Sequence, residues 1–228
     1  MEPLAVTFKL VGPIIEPSQP LHLDALLGRC AADAAILRNE DPNYSVEHLP
    51  LQQHDYNNLK VWCASAFIFV KQRPVGMLHR MRRSEYQGLF DASNLGLLFK
   101  PQRTVNAASG ALRAWSFTRP MVLASEARAW CIGDRAQLNE LLSTVHYIGA
   151  LGKLGYGHIE GMEIKADPAA NWKWLNRDLP DVPAVRREID GKDLFADSID
   201  ASFRPPYWDH KNRTRCLRCT FTHMHELR

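Results

Sequence analysis

The chain has 228 residues, 46% of them hydrophobic, which is enough for a real core in one large or two small domains and excludes a disordered chain. No apolar run reaches the roughly 20 residues that cross a bilayer, so a soluble protein with no membrane partner is expected. The net charge of +3 is too small to imply a polyanion partner by itself, so any such argument rests on where the charges cluster.

Alternation over Leu4–Leu10 predicts a first strand, which Pro13, Pro17 and Pro20 then terminate. A helix follows over Leu21–Leu37, with an apolar stripe of Leu23, Leu26, Leu27, Cys30 and Ala34 and with His22 and Asp24 on the polar face near its start. Residues 38–60, with Pro42, Pro50, Asn57 and Asn58 and no sustained period, read as an insertion loop. Val61–Lys71 is the most apolar strand candidate and is expected at the centre of a sheet. Straight after it, Lys71, Arg73, Arg80, Arg82 and Arg83 fall in a stretch without a single acid, either a solvated face or a rim that meets phosphates.

Residues 88–110 are loop-like, and alternation over Ala111–Thr118 then sets Arg113, Trp115 and Phe117 on one side of a strand. Met121–Ile132 reads as its partner, hinged at Arg119 and Pro120. A second helix starts after Asp134, a natural N-cap, and is expected to run to Ile148. The order of elements predicts an α+β fold with a ferredoxin-like βαββαβ core over residues 1–166, decorated by insertions, whose open sheet face is an RNA platform in unrelated proteins. Residues 167–228, rich in tryptophan, proline and arginine, read as an extended basic C-terminal arm packed on the same domain and lacking a core of its own.

Between the second helix and the last strand lies IGALGKLGYGHIEG, residues Ile148–Gly161. Gly149, Gly152, Gly155 and Gly157 leave bare N–H groups that can converge on an anion such as phosphate. No GK[ST] opens a helix here, and the glycines do not lead from a strand into a helix, so neither a Walker loop nor a dinucleotide fingerprint fits. Lys153, Tyr156 and His158 add a charge, a stacking ring and a donor, a mixture suited to a nucleic-acid backbone. A tight turn that packs helix on sheet is the alternative.

PLHLDALLG, residues Pro20–Gly28, and the glycine stretch together resemble the CRISPR-associated RAMP proteins, and among them the Cas-five-like subunit of the type IV effector complex. The resemblance covers Leu4–Lys165. It implies a non-catalytic subunit that holds the 5′ handle of guide RNA, partners that include the backbone and large effector subunits, and an antiviral ribonucleoprotein as the setting. Contact with target DNA near the handle stays open. The same resemblance implies that Gly149, Gly152, Gly155 and Gly157 approach RNA phosphates with Lys153 beside them. Base stacking is expected from Tyr156 or from the tryptophan-rich arm. His22, Arg80, Arg82, Arg83, Arg113 and His158 complete the expected RNA-binding set.

Related RAMP nucleases use a histidine near the first helix as general acid or base, so His22 has an enzymatic reading beside the holding one: metal-independent processing of guide RNA. No cofactor is expected. Cys216 and Cys219 at CxxC spacing, with His223 and His225 behind, allow a small zinc site or an ordinary strand with two thiols. Five cysteines in irregular spacing, with no secretory leader in MEPLAVTFKL, predict a reducing, cytoplasmic setting.

Overall fold

The computed structural model describes residues 1–70, 73–82 and 115–221. The chain divides into two compact units, Met1–Pro74 with Val122–Arg228, and Val75–Met121. In the larger unit, β1 (Glu2–Val11) buries Leu4, Val6, Phe8 and Leu10 on one face, the period-2 burial its sequence predicts. After β2 (Pro13–Ile15) comes α1 (Leu23–Arg38), closed by Asn39 in the left-handed conformation. Its buried side keeps Leu23 and Leu27 of the expected stripe but takes Asp24, Gly28, Ala31 and Ala35 in place of Leu26, Cys30 and Ala34. An alanine-rich helix that is apolar over most of its surface does not define its own buried face. What turns it is a partner for Asp24.

Residues 38–60 are not a loop. They hold α2 (Pro42–Glu47), capped by the Asp41 side chain, and a hairpin of β3 (Gln53–Tyr56) and β4 (Leu59–Trp62). Asn57 and Asn58, at φ 54 and 69, form its two-residue turn, the conformation that paired asparagines favour. The apolar stretch after it is not a central strand either. Residues 63–67 thread irregularly through the interior, and only β5 (Ile68–Val70) pairs, at the sheet edge.

β8 (Glu126–Gly133) leads into α3 (Arg135–Leu142), where Asp134 accepts from the Gln137 N–H at 3.0 Å as the expected N-cap. The helix stops six residues short of Ile148. A glycine-rich loop then enters β9 (His158–Ala166). The four-stranded sheet runs β5-β8-β1-β9, antiparallel throughout, with α1 and α3 on the face of the main core. The opposite face carries the Glu126–Arg128 and Glu163–Lys165 ion pairs. Near Trp130 it is covered by α4 (Ala170–Lys173), so it is a poor match to a bare aromatic platform.

The expected extended arm is instead a folded layer. β10 (Asp178–Pro180), α5 (Pro183–Ile189), β11 (Leu194–Ser202) and β12 (Arg213–Phe221) build a sheet of order β10-β12-β11. Trp174, Leu175, Leu179, Val185, Phe203, Cys216, Leu217 and Cys219 form a second buried cluster that also takes in Tyr56, Val61 and Cys63. Tryptophans and prolines that suggested an extended arm instead pack this cluster and frame its turns.

In the smaller unit, β6 (Arg73–Arg82) pairs with β7 (Trp115–Leu123) as a ribbon with His79 and Thr118 hydrogen-bonded across it. β7 runs straight through the expected hinge at Arg119 and Pro120, and the break comes instead at Ala124 and Ser125. Pro120 is exposed, where its missing N–H is tolerated. The expected loop over residues 88–110 lies outside the described residues. No described helix is long and apolar enough to cross a membrane.

Candidate functional site

The glycine-rich loop is zipped at its base. Ile148 N–H donates to the Gly157 carbonyl at 2.8 Å, Ile159 N–H to the His146 carbonyl at 2.9 Å, and Gly157 N–H to the Pro13 carbonyl at 3.0 Å, which ties the loop to the start of β2. A single 3-10 turn over Gly152–Leu154 forms its tip.

The glycines serve different ends. Gly157 sits at φ +64, and a Cβ there would overlap the Ile148 carbonyl oxygen; at Gly152 it would stand 2.6 Å from Tyr147 Cβ. Both positions are set by the protein's own packing. A Cβ at Gly149 would stand 3.5 Å from Ile14. At Gly155, φ +89, a Cβ would meet nothing within 4 Å, so this position opens to solvent beside the exposed Lys153 although its N–H is held by the Gly152 carbonyl.

A hollow of about 900 Å³ is lined by α2, β4 and the turn at Pro205, but the one beside this loop, about 510 Å³, lies between it and α1. Arg29 and Asp33 line it from the helix, with His146, Tyr147, Gly149, Gly152 and Lys153 opposite. Tyr147 is exposed, and its ring meets His158 edge-on at 5.4 Å; Tyr156 is half-buried. Arg29, His146 and Tyr147 escaped the sequence reading because the last two lay inside a stretch assigned to helix. Their signal was an exposed aromatic and imidazole pair next to the glycine run. The groove presents the Tyr147 ring, Lys153 and Arg29, the last ion-paired with Asp33 at 3.7 Å, chemistry that fits a single-stranded phosphate backbone.

His22 is not in this groove. It caps the other end of α1, 5% exposed, with Nε2 3.5 Å from Asp178 and its ring stacked on Tyr207 at 5.3 Å between centroids. Its Nδ1 is buried without a protein partner, so neither nitrogen is presented to a ribose hydroxyl. Asp24, on the same motif, is fully buried with Arg177. The carboxylate and guanidinium lie 3.0 Å apart but out of hydrogen-bond alignment, and Tyr207 donates to Asp24 at 2.8 Å. Arg177 also donates to the carbonyls of Trp62, Ala64 and Phe203, at 2.8, 2.9 and 2.6 Å. Burial and the Asp24 charge push the Tyr207 hydroxyl well up, which keeps it a neutral donor. The polar residues of PLHLDALLG thus bolt α1 to the second sheet.

Burial raises the Asp178 carboxyl, but His22 and Arg218 together outweigh it and hold the pKa below its ordinary 3.8. A depressed carboxylate contributes stability that is complete above the ordinary value and fades as pH falls through the lower native one. Wild type is therefore expected to lose urea resistance steeply below about pH 4, and Asp178→Asn to show a flatter acid limb from a lower plateau. Parallel acid limbs in urea titrations from pH 6 to 2.5 would remove this carboxylate from the account.

Arg80 is half-buried on β6 and Arg82 ends that strand, both in the smaller unit, while Arg83 and Arg113 lie outside the described residues. Cys216 and Cys219 stand three apart on one strand, so their side chains leave opposite faces of β12. Burial pushes both thiols up to about 12, the reverse of what a metal ligand needs. His223 and His225 lie outside the described residues. Among the described residues no cluster of three metal-ligating side chains exists, and all five cysteines are free.

The family model of CRISPR type IV associated protein Csf3 matches residues 2–219. No curated protein matches the sequence.

Proposed function

Because the chain belongs to the family of CRISPR type IV associated protein Csf3, we propose that it is a non-catalytic, Cas-five-like RAMP subunit of a type IV effector complex that grips the 5′ handle of guide RNA. The observation that carries this reading is the groove between α1 and the glycine-rich loop, which Lys153 lines, with the open position Gly155 two residues further on. The sheet order β5-β8-β1-β9, with one helix after β1 and one after β8, is the strand order of a ferredoxin-like βαββαβ unit and supports the RAMP assignment. Burial of His22 favours holding over cutting. Unpaired thiols suit a cytoplasmic particle. The exposed apolar residues Val75, Met77 and Met81 on the ribbon are natural contacts for neighbouring effector subunits, with target DNA near the handle as a further contact.

The test is co-purification of the full chain with guide RNA and sequencing of the protected end. A protected 5′ handle is expected, and recovery without RNA overturns the proposal. Within bound complexes, Lys153→Ala should lower the salt slope of binding by about 0.7. Gly155→Ala should weaken handle binding while costing only about 1 kcal/mol of stability, because its Cβ meets phosphate and not protein. Filter binding that shows both variants at wild-type affinity and slope would take the loop out of the interface.

A further inference from the structure

A second hollow, about 460 Å³, lies at the N-terminal end of α1, apart from the glycine-rich loop and within the size range of small-molecule sites. Its floor is the His22–Asp178–Arg218 network, and Trp208 and Arg213 also line it.

Trp208 is 80% exposed, yet the turn that carries it is firmly held. Ser202 donates to the Tyr207 carbonyl at 2.9 Å, the Asn212 side chain donates to the Pro206 carbonyl at 3.2 Å, and Tyr207 is anchored through its hydroxyl to Asp24. A flexible loop can leave an indole in water by accident. Here the residue before Trp208 is buried in the main ion network while the indole itself is held outward at the lip of a cavity. An apolar ring of that size presented on a rigid turn is a stacking surface waiting for a flat partner.

Charge narrows the partner. Asp178 is neutralised by Arg218 and His22, and the Asp209 carboxylate is occupied by the Lys211 N–H. Asp200 also lines the hollow; Arg215, opposite it in the β11–β12 register, turns instead to Ser198 and Asp181. Arg213 is exposed with no protein partner among the described residues, and His210 and Lys211 follow Trp208 closely in the chain. A basic peptide would set its charges against Arg213 and Arg218, and an acidic one offers a flat ring only where it carries an aromatic residue. A nucleotide supplies both a flat base and an anion.

We infer that this hollow takes one unpaired nucleotide of a single-stranded RNA, its base stacked on Trp208 and its phosphate on Arg213. The inference rests on the RNA-binding reading above but concerns a separate site, so the bound strand touches the protein at two places.

The experiment uses the full chain and a set of guide-handle RNAs, each with one abasic nucleotide at a different position. At one position, loss of the base should weaken binding to wild type about tenfold, in line with one stacked base. Trp208→Ala, an exposed substitution that leaves the core intact, should weaken the intact RNA by the same factor. It should also show no further loss with that abasic RNA, while Lys153→Ala should leave the abasic penalty in place. If every abasic RNA is penalised equally in wild type and Trp208→Ala, the Trp208 site is overturned and the glycine-loop reading stands. If wild type binds none of the RNAs, both fall together.

Discussion

Arg177→Ala is expected to lower the free energy of unfolding by about 3–5 kcal/mol, the usual result of stripping one partner from a buried ion pair. Arg177 and Asp24 are both fully excluded from water, so the substitution leaves a carboxylate with one neutral donor, Tyr207, and no counter-charge. It also strips a donor from the carbonyls of Ala64 and Phe203, and from that of Trp62, which keeps only the Ala64 N–H. Against a typical domain stability of about 5–15 kcal/mol, such a loss is a large share. Urea unfolding followed by tryptophan fluorescence measures it. In a double-mutant cycle with Asp24→Asn, the two losses should be far from additive. A loss under 1 kcal/mol, or simple additivity, would show that the pair is not what joins α1 to the second sheet.

The second large effect is expected at Gly157. Alanine there combines a left-handed backbone with a Cβ inside the Ile148 carbonyl oxygen, so the zipped base of the loop must open. Strain of about 1–3 kcal/mol from the backbone and a similar amount from overpacking predict a loss of about 2–5 kcal/mol. Hydrogen exchange should show the amides of Ile148 and Ile159 losing protection in this variant and keeping it in Gly155→Ala. Equal protection in both would mean that the loop base is not held by the contacts described.

Much of the first half was legible because β1 obeys the simplest rule there is, alternation, and because Asp134 is a strong cap. The helix-to-strand setting of the glycine loop was legible for the same reason. What failed failed for identifiable causes. Val61–Lys71 looked like a central strand since all but Ser65 and Lys71 are apolar, but burial alone does not distinguish a paired strand from a segment threaded between layers. Asn57 and Asn58 turn a hairpin whose strands are only four residues each, too short to show a period within a stretch that reads as a loop. At the site, Gly152 and Gly157 look identical to Gly155 in sequence, yet two answer to Tyr147 and Ile148 and one to open space. His22 and Asp24 drew attention as polar residues on an apolar helix. Their partners, Asp178 and Arg177, lie more than a hundred residues away, a distance across which no local pattern reaches.

Residues 63–67 also bear on how the protein reaches its native state. Cys63 N–H donates to the Gln52 carbonyl, Ser65 N–H to Trp130, Ala66 N–H to Asn176 and Phe67 N–H to Leu21. Four neighbouring amides thus look to four separate parts of the chain, one of them beyond β9. Contacts so remote in sequence form late, after the loops between them have closed. During synthesis this apolar stretch must therefore wait, uncovered, until Asn176 has emerged. The emerging chain spends that interval with its stickiest segment exposed, and the completed second layer is what finally hides it.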